Sequence, residues 1–484
     1  MTTPGTQGAL QPVTVGALNP SRFEGILEKD QYETFQKGVE RARGLFEGSA
    51  IWNLNSTARG GGVAEMLVSL LAYARGAGID ARWSVISGEP GFYRITKRLH
   101  NQLHGSKGDG GALDDEAREA YESGLEPNAR ELRDDLDDDD VVILHDPQTA
   151  GLIPTVKETG VPVIWRCHVG LDVPNDIARG AWGFLEPYVR EADAVVFSRK
   201  AFVWEGLGDV PVHIIPPSID AFSPKNQDLE DGSVAAILQC SGILEGVEDE
   251  ATKPTFERID GSPGRVHRQA DAWQERPLRP GDRFLLQVSR WDALKDPIGV
   301  IDGFSEHVAP RLPDAHLIYA GPAVEAVSDD PEGKQVLDEA IGRWNDMDAE
   351  LRERVHLLAL PMDDLEENAA IVNALQRRAH VVAQKSLAEG FGLTVAEAMW
   401  KGRPVVASRV GGIQEQVVDG ESGLLLDDPH DLEGFGRLVR ELLDDLEKAD
   451  RMGAEARRRV RHEFLGVRHL LQYLDVLGPL AESR

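Results

Sequence analysis

Short apolar runs alternate with stretches of helical periodicity along most of this chain. "AIWNLNS" reads as a strand, "GGGVAEMLVSLLAYARGAG" as a glycine loop and helix, and "IDARWSVI", "DVVILHDP" and "VPVIWRCHV" as further strands. Apolar strands separated by helices predict a parallel sheet. Residues 1–46 read as an N-terminal extension, a flexible tail followed by a polar helix around "KDQYETFQKGVERARGLF". After "VHIIPPSID" the rhythm stops, and residues 226–283, rich in Asp, Glu, Gly, Pro and Arg, read as a connector and surface elaboration. A second series then begins with "RFLLQVSR", "AHLIYAG", "RVHLLAL", "AHVVAQKS", "RPVVASR" and "SGLLL" as strands. Phe435, Leu438, Val439, Leu442 and Leu446 keep helical spacing, and a last helix runs through "HLLQYLDVL". The pattern predicts two α/β domains, 47–225 and 284–465, with a C-terminal helix over 466–484 that packs back on the first.

Length agrees with two domains, since 484 residues exceed what one core supports and 41% hydrophobic content suffices for two. Two large lobes imply a cleft. The formal net charge of −30 excludes a general binder of nucleic acid or anionic membrane. Lysines number 13 against 39 arginines, so a lysine near a candidate site carries information. Two cysteines, Cys167 and Cys240, are too few for a disulfide framework or a cysteine-based zinc site. The N-terminus has no basic segment followed by an apolar core, and no apolar run is long enough to span a bilayer, so the expected location is the cytoplasm.

Open α/β sheets bind ligands beyond the carboxyl ends of their strands, which directs attention to four places. In "NSTARGGGVAE", Gly60, Gly61 and Gly62 lie between strand and helix, where bare backbone admits a phosphate or a sugar; the plain alternative is a tight turn. A dinucleotide fingerprint would need glycine where Glu65 stands, and the Walker pattern is absent. "HDPQ" puts His145 and Asp146 at one strand end, and "WRCH" puts His168 at another. A single His or Asp at such a place more often serves hydrogen bonding than catalysis. In "QVSRWDALKDP", Arg290 ends a strand and Lys295 follows, and two cations on one loop can clamp a diphosphate. The alternative there is a pair of solvated surface cations.

The stretch "EGFGLTVAEAM" carries Glu389 and Glu397 eight positions apart, which a continuous helix would turn to different faces. Gly390 and Gly392 indicate a loop, and Thr394 with Glu397 has the form of a capping box. A loop of this kind turns backbone N–H groups and the positive end of a helix toward an anion. Asp137–Asp140 precede a strand, at the wrong sheet end for a ligand, and read as a solvated loop, so no metal is assigned. Arg457, Arg458, Arg459 and Arg461 read as a helix face.

Arg290, Lys295 and the Glu389-to-Glu397 element, behind an N-terminal glycine loop, resemble the retaining family-4 glycosyltransferases of GT-B fold. Within that family, "LNSTARGGGVAEML", "DARWSVI", "HDPQ", "WRCH", "PPSID", "DDPEG" and "EGFGLTVAEAMWKG" resemble the trehalose synthases, over 50–226 and 284–475. Residues 227–283 depart from the compact linker of the family without touching a motif. The resemblance implies an α/β, GT-B architecture, two Rossmann-like parallel-sheet domains facing a deep interdomain cleft. It also implies glucose transfer from ADP-, UDP- or GDP-glucose to glucose, reversible, with no cofactor and no metal. Arg290 and Lys295 would hold the donor diphosphate, and Glu389 the hydroxyls of the transferred glucose. Gly390, Phe391, Gly392, Leu393 and Thr394 would meet sugar and phosphate, and Glu397 would bind the ribose or only cap its helix. His168 would contact the donor sugar, Asp146 would orient a glucose, and Gly61 and Gly62 would admit the diphosphate. The expected partners are small molecules, with no nucleic acid and no membrane, and the expected assembly is a homodimer. Two rivals share these motifs: a retaining trehalose phosphorylase and a catalytically silent sugar-nucleotide-binding scaffold. The missing fingerprint disfavours a Rossmann dehydrogenase.

Overall fold

The apolar runs fold as strands, and the order in which they pair places the candidate residues. The computed structural model describes residues 8–58, 62–246, 253–324 and 331–482. The chain divides into a first unit that ends at Ser218 and takes the chain back from Gly466 onward, and a second unit, Ile219–Leu465.

The sheet of the first unit holds β1 (Leu10–Pro12), β2 (Ala50–Asn55), β3 (Asp80–Ile86), β4 (Val141–His145), β5 (Val163–Cys167), β6 (Ala194–Phe197) and β7 (Val212–Ile214), in the order β1-β3-β2-β4-β5-β6-β7. All pair in parallel except β1, which lies antiparallel on β3. Every residue of β2, β4, β5 and β6 is buried, as expected of parallel strands covered on both faces. The N-terminal extension is part of this unit. β1 extends its sheet, and the helix Lys29–Leu45 lies against the helix Gly466–Glu482, with Arg41 and Glu482 paired at 3.1 Å.

The second unit adds a small hairpin, β8 (Thr255–Glu257) with β9 (Pro263–Arg265), to a seven-stranded sheet. That sheet holds β10 (Asp271–Trp273), β11 (Arg283–Val288), β12 (Ala315–Pro322), β13 (Val355–Leu360), β14 (Val381–Gln384), β15 (Val405–Ser408) and β16 (Leu424–Leu426). The order is β10-β13-β12-β11-β14-β15-β16, parallel except for β10. The order in which successive strands are added reverses between β11 and β14, which is the switch point where such sheets bind ligands.

The boundary falls at 218/219 rather than after residue 225, because Ile219 donates its N–H to the Phe464 carbonyl at 2.8 Å and is held by the second unit. Residues 226–283 are an integral part of that unit rather than a surface elaboration. Their charges are used internally, Arg258 with Asp364 at 2.6 Å and Asp228 with Arg377 at 2.9 Å, and β10 lengthens the sheet. The helix predicted through Leu446 stops at Asp444, and Asp445 caps a new helix, Leu446–Glu463. Asp140 also departs from expectation: it is buried, accepting from the Ala50 N–H at 2.7 Å and from the Trp52 indole at 2.8 Å. It ties the starts of β2 and β4 together instead of meeting solvent.

Candidate active site

In the second unit the loops after β11 and β14, neighbouring strands at the switch point, meet through the Lys295 ammonium and Glu389 Oε2, 2.6 Å apart. Glu389 Oε2 also accepts from Ser386 Oγ at 3.2 Å. The loop is held from below. Gln287, wholly buried in β11, donates to the Lys295 carbonyl at 2.8 Å and accepts from the Lys385 N–H at 2.9 Å. The buried Lys385 ammonium contacts Asp296, whose backbone is left-handed (φ 51°) and whose carboxylate caps the next helix through Gly299 N–H at 3.0 Å. Sequence reasoning missed Gln287, Lys385, Ser386 and Asp296, although "QKS" ends a strand just as "WRCH" does. Arg290, on the same loop as Lys295, is largely exposed and pairs with Asp292 at 2.9 Å. The two cations expected to clamp a diphosphate each carry a carboxylate partner.

The helix Leu393–Trp400 starts beside this pair. Its N-cap is Gly392 in left-handed conformation (φ 80°), with no side-chain cap. The capping-box reading fails, because Thr394 lies inside the helix and its hydroxyl donates to Gln384 Oε1 at 2.8 Å. The Val395 N–H donates to the Gly392 carbonyl at 3.0 Å, and with no capping side chain the Leu393 and Thr394 amides can meet an acceptor from outside the helix. A Cβ on Gly390 would meet no protein atom within 4 Å, so there is free space beside it, although its carbonyl is taken by the Gly412 N–H at 2.8 Å. Gly411 does the opposite: a Cβ there would lie 1.7 Å from the Glu389 carbonyl, and only glycine lets that loop press so close. Glu397 is buried one turn into the helix, 3.5 Å from the Lys225 ammonium.

The first unit brings three of the named residues together. Asp146 follows β4 in left-handed conformation (φ 66°), which points its carboxylate at β5. It accepts from the His168 backbone N–H at 2.8 Å and from His168 Nδ1 at 3.2 Å. Burial opposes ionisation of Asp146, but the His168 ring and its two hydrogen bonds outweigh that and hold the carboxyl at about 2. His168 Nε2 accepts from Arg166 Nε at 3.1 Å, so both ring nitrogens are occupied. Any sugar contact by His168 must come from something other than a ring nitrogen. His145 stacks on that ring with centroids 5.5 Å apart and planes 12° apart, and its Nε2 meets Asn53 Oδ1 at 3.1 Å. Burial pushes both histidines below the ordinary range and keeps them neutral. Gly62 begins the helix Gly62–Gly76 after β2 and is exposed, whereas Gly60 and Gly61 lie outside the described residues.

Comparison with known proteins agrees with both halves. A model of the trehalose synthase N-terminal domain matches residues 53–204, and one of glycosyl transferases group 1 matches residues 269–459. Trehalose synthase from Pyrococcus horikoshii is 34% identical over 458 residues, covering 95% of each chain. The chain belongs to the trehalose synthase family. A trehalose phosphorylase from Pleurotus sajor-caju is 26% identical over 452 residues, 86% of this chain and 57% of the relative. An α,α-trehalose-phosphate synthase (UDP-forming) from Burkholderia vietnamiensis superposes with a TM-score of 0.63 at 15% identity, over 90% of this chain and 97% of that one. The fold is GT-B, with two Rossmann-like parallel-sheet domains. The chain is a glycosyltransferase of trehalose-related chemistry. No described helix is long and apolar enough to cross a membrane.

Proposed function

We propose that this protein is a retaining glucosyltransferase that makes trehalose from a nucleoside-diphosphate glucose and free glucose, reversibly. The observation that carries the reading is the Lys295–Glu389 pair at the switch point of the second sheet, beside an uncapped helix start. Lys295 and Arg290 supply positive charge to a departing diphosphate, and Lys295 also fixes one oxygen of Glu389. Glu389 Oε1 then faces the hydroxyls of the transferred glucose. The amides from Gly390 to Thr394 donate to sugar and phosphate, Gly61 and Gly62 admit the diphosphate, and Glu397 binds the ribose.

In the chemical step the bond from glucose C1 to the phosphate oxygen breaks while the acceptor oxygen bonds to C1 on the same face. The acceptor proton passes to the departing phosphate oxygen, so no dedicated base is needed. Asp146, ionised and aimed by His168, accepts from glucose hydroxyls. Preorganised charge stabilises the oxocarbenium-like state, with no nucleophilic carboxylate of the glycosidase kind. No metal takes part, because the cations do that work. The reading carries with it a cytoplasmic location and a homodimer, the latter checked by light scattering.

The experiment is a panel of ADP-, UDP- and GDP-glucose against glucose, with product analysis, followed by trehalose incubated with either nucleoside diphosphate or inorganic phosphate. Trehalose from a nucleotide-glucose, and nucleotide-glucose in reverse, support the reading. Glucose 1-phosphate from trehalose and phosphate would make the chain a phosphorylase, and no turnover with any donor would make it a binding scaffold.

A further inference from the structure

We infer that Arg166 is a positioning residue, which fixes the tautomer of His168 and through it the direction of the Asp146 carboxylate. The inference rests on the proposed role of Asp146 toward glucose.

Arg166 sits inside β5, flanked by Trp165 and Cys167, and its side chain is completely buried. Nothing about a parallel strand calls for a guanidinium there, and burying one without a carboxylate is costly. Among the described residues it makes no salt bridge. Its Nη2 donates to the Ile215 carbonyl at 2.6 Å and its Nε to His168 Nε2 at 3.1 Å, while Nη1 has no hydrogen-bond partner among the described residues. A guanidinium cannot accept a proton, so the nitrogen it meets on His168 must be the bare one. The ring proton is thereby forced onto Nδ1, which faces Asp146. Without that constraint, His168 could protonate Nε2 as well and place a full positive charge against Asp146, weakening it as an acceptor for a neutral sugar.

The surroundings are built to keep other charges away. His145 stacks on His168 from β4, and His100, from the helix Pro90–Leu103, interacts electrostatically with Asp146. The helix Gly466–Glu482 brings His469 and Tyr473 to the same place, stacked on each other at 5.2 Å. Tyr473 interacts electrostatically with the Arg166 guanidinium, and the His469 ring is held by Ser218 Oγ at 2.9 Å. Burial lowers all three of these histidines, so around neutral pH Asp146 and Arg166 are the charged members of the cluster.

The test reads the proton directly. With histidine labelled in both ring nitrogens, nitrogen NMR on the full chain should show His168 as the Nδ1–H tautomer from pH 8 to pH 5; the peak is identified by its loss in His168→Gln. A proton on Nε2 in that range overturns the inference without any substitution at Arg166 and without any substrate. It therefore fails separately from the proposed reaction. In Arg166→Met, His168 should titrate at a higher pH than in the unaltered protein, since the guanidinium no longer opposes its protonation, and kcat/KM for glucose should be about tenfold lower at pH 5.5 than at pH 8. The unaltered protein should lack that acidic limb. An Arg166→Met protein with the original tautomer and pH profile would also overturn the inference.

Discussion

The Lys295 ammonium and the Glu389 carboxylate lie 2.6 Å apart, joining two loops that are 94 residues apart in sequence. Both side chains are mostly buried, so removing one leaves the other poorly compensated. Lys295→Ala is expected to lower turnover by about 100-fold or more, since one preorganised donor of this kind is worth several kcal/mol in the transition state. Glu389→Gln should be similarly damaging, and the double variant should lose much less than the product of the two. Steady-state kinetics beside circular dichroism checks this, and a near-normal rate in Lys295→Ala would remove Lys295 from the site.

Glu397 and Lys225, 3.5 Å apart, distinguish a ribose contact from a core ion pair. Glu397→Gln is expected to raise KM for the nucleotide donor more than it lowers kcat. A lower melting temperature with unchanged KM would instead make the pair a packing feature of the helix Leu393–Trp400.

Much of this was legible in the sequence, and the exceptions share a cause. The central strands are fully buried, so their apolar runs stand out from the surrounding polarity, and Asp146, His168, Arg290 and Lys295 follow strand ends as the pattern placed them. Thr394 misled because a capping box is a local pattern, whereas its hydroxyl is claimed by Gln384 from a neighbouring strand. Asp140 misled in the same way: in a run of four aspartates, only the fold selects which one is buried against β2. Lys385 and Arg166 act through side-chain partners 89 and 2 residues away, and the sign of their presence was only a cation inside or just after an apolar run.

Acid should destabilise the second unit through His316 and His356. The rings stack and share a hydrogen bond at 3.0 Å, and His356 Nδ1 meets Gln274 Oε1 at 3.1 Å. Burial lowers His316 to about 4, and burial together with His316 lowers His356 to about 3. An unfolded histidine titrates near 6.5, so below that pH the unfolded chain binds more protons and the folded state loses stability as pH falls toward 4. Calorimetry at pH 7.5 and pH 5 should show a lower melting temperature at the acid end, and the double variant His316→Gln, His356→Gln should shrink the difference. An unchanged difference would mean that these histidines do not govern it.

Transfer should persist in excess chelator. Arg290 and Lys295 stand on the loop after β11, at the switch point where a diphosphate would lie, and the uncapped start of the helix at Leu393 adds backbone donors to the same region. The carboxylates nearby are engaged: Glu389 with Lys295, Asp292 with Arg290, and Asp296 with Lys385. A divalent ion would have to take oxygens from these pairs, releasing the cations that hold the loop in place. The protein should therefore be stripped with EDTA and assayed for glucose transfer from the nucleotide donor, then assayed again with Mg²⁺ or Mn²⁺ restored. Equal rates in the two assays are expected. Activity that disappears with chelator and returns with metal would mean that the cation pair is insufficient for the leaving diphosphate, and that one of these carboxylates leaves its partner to bind the ion.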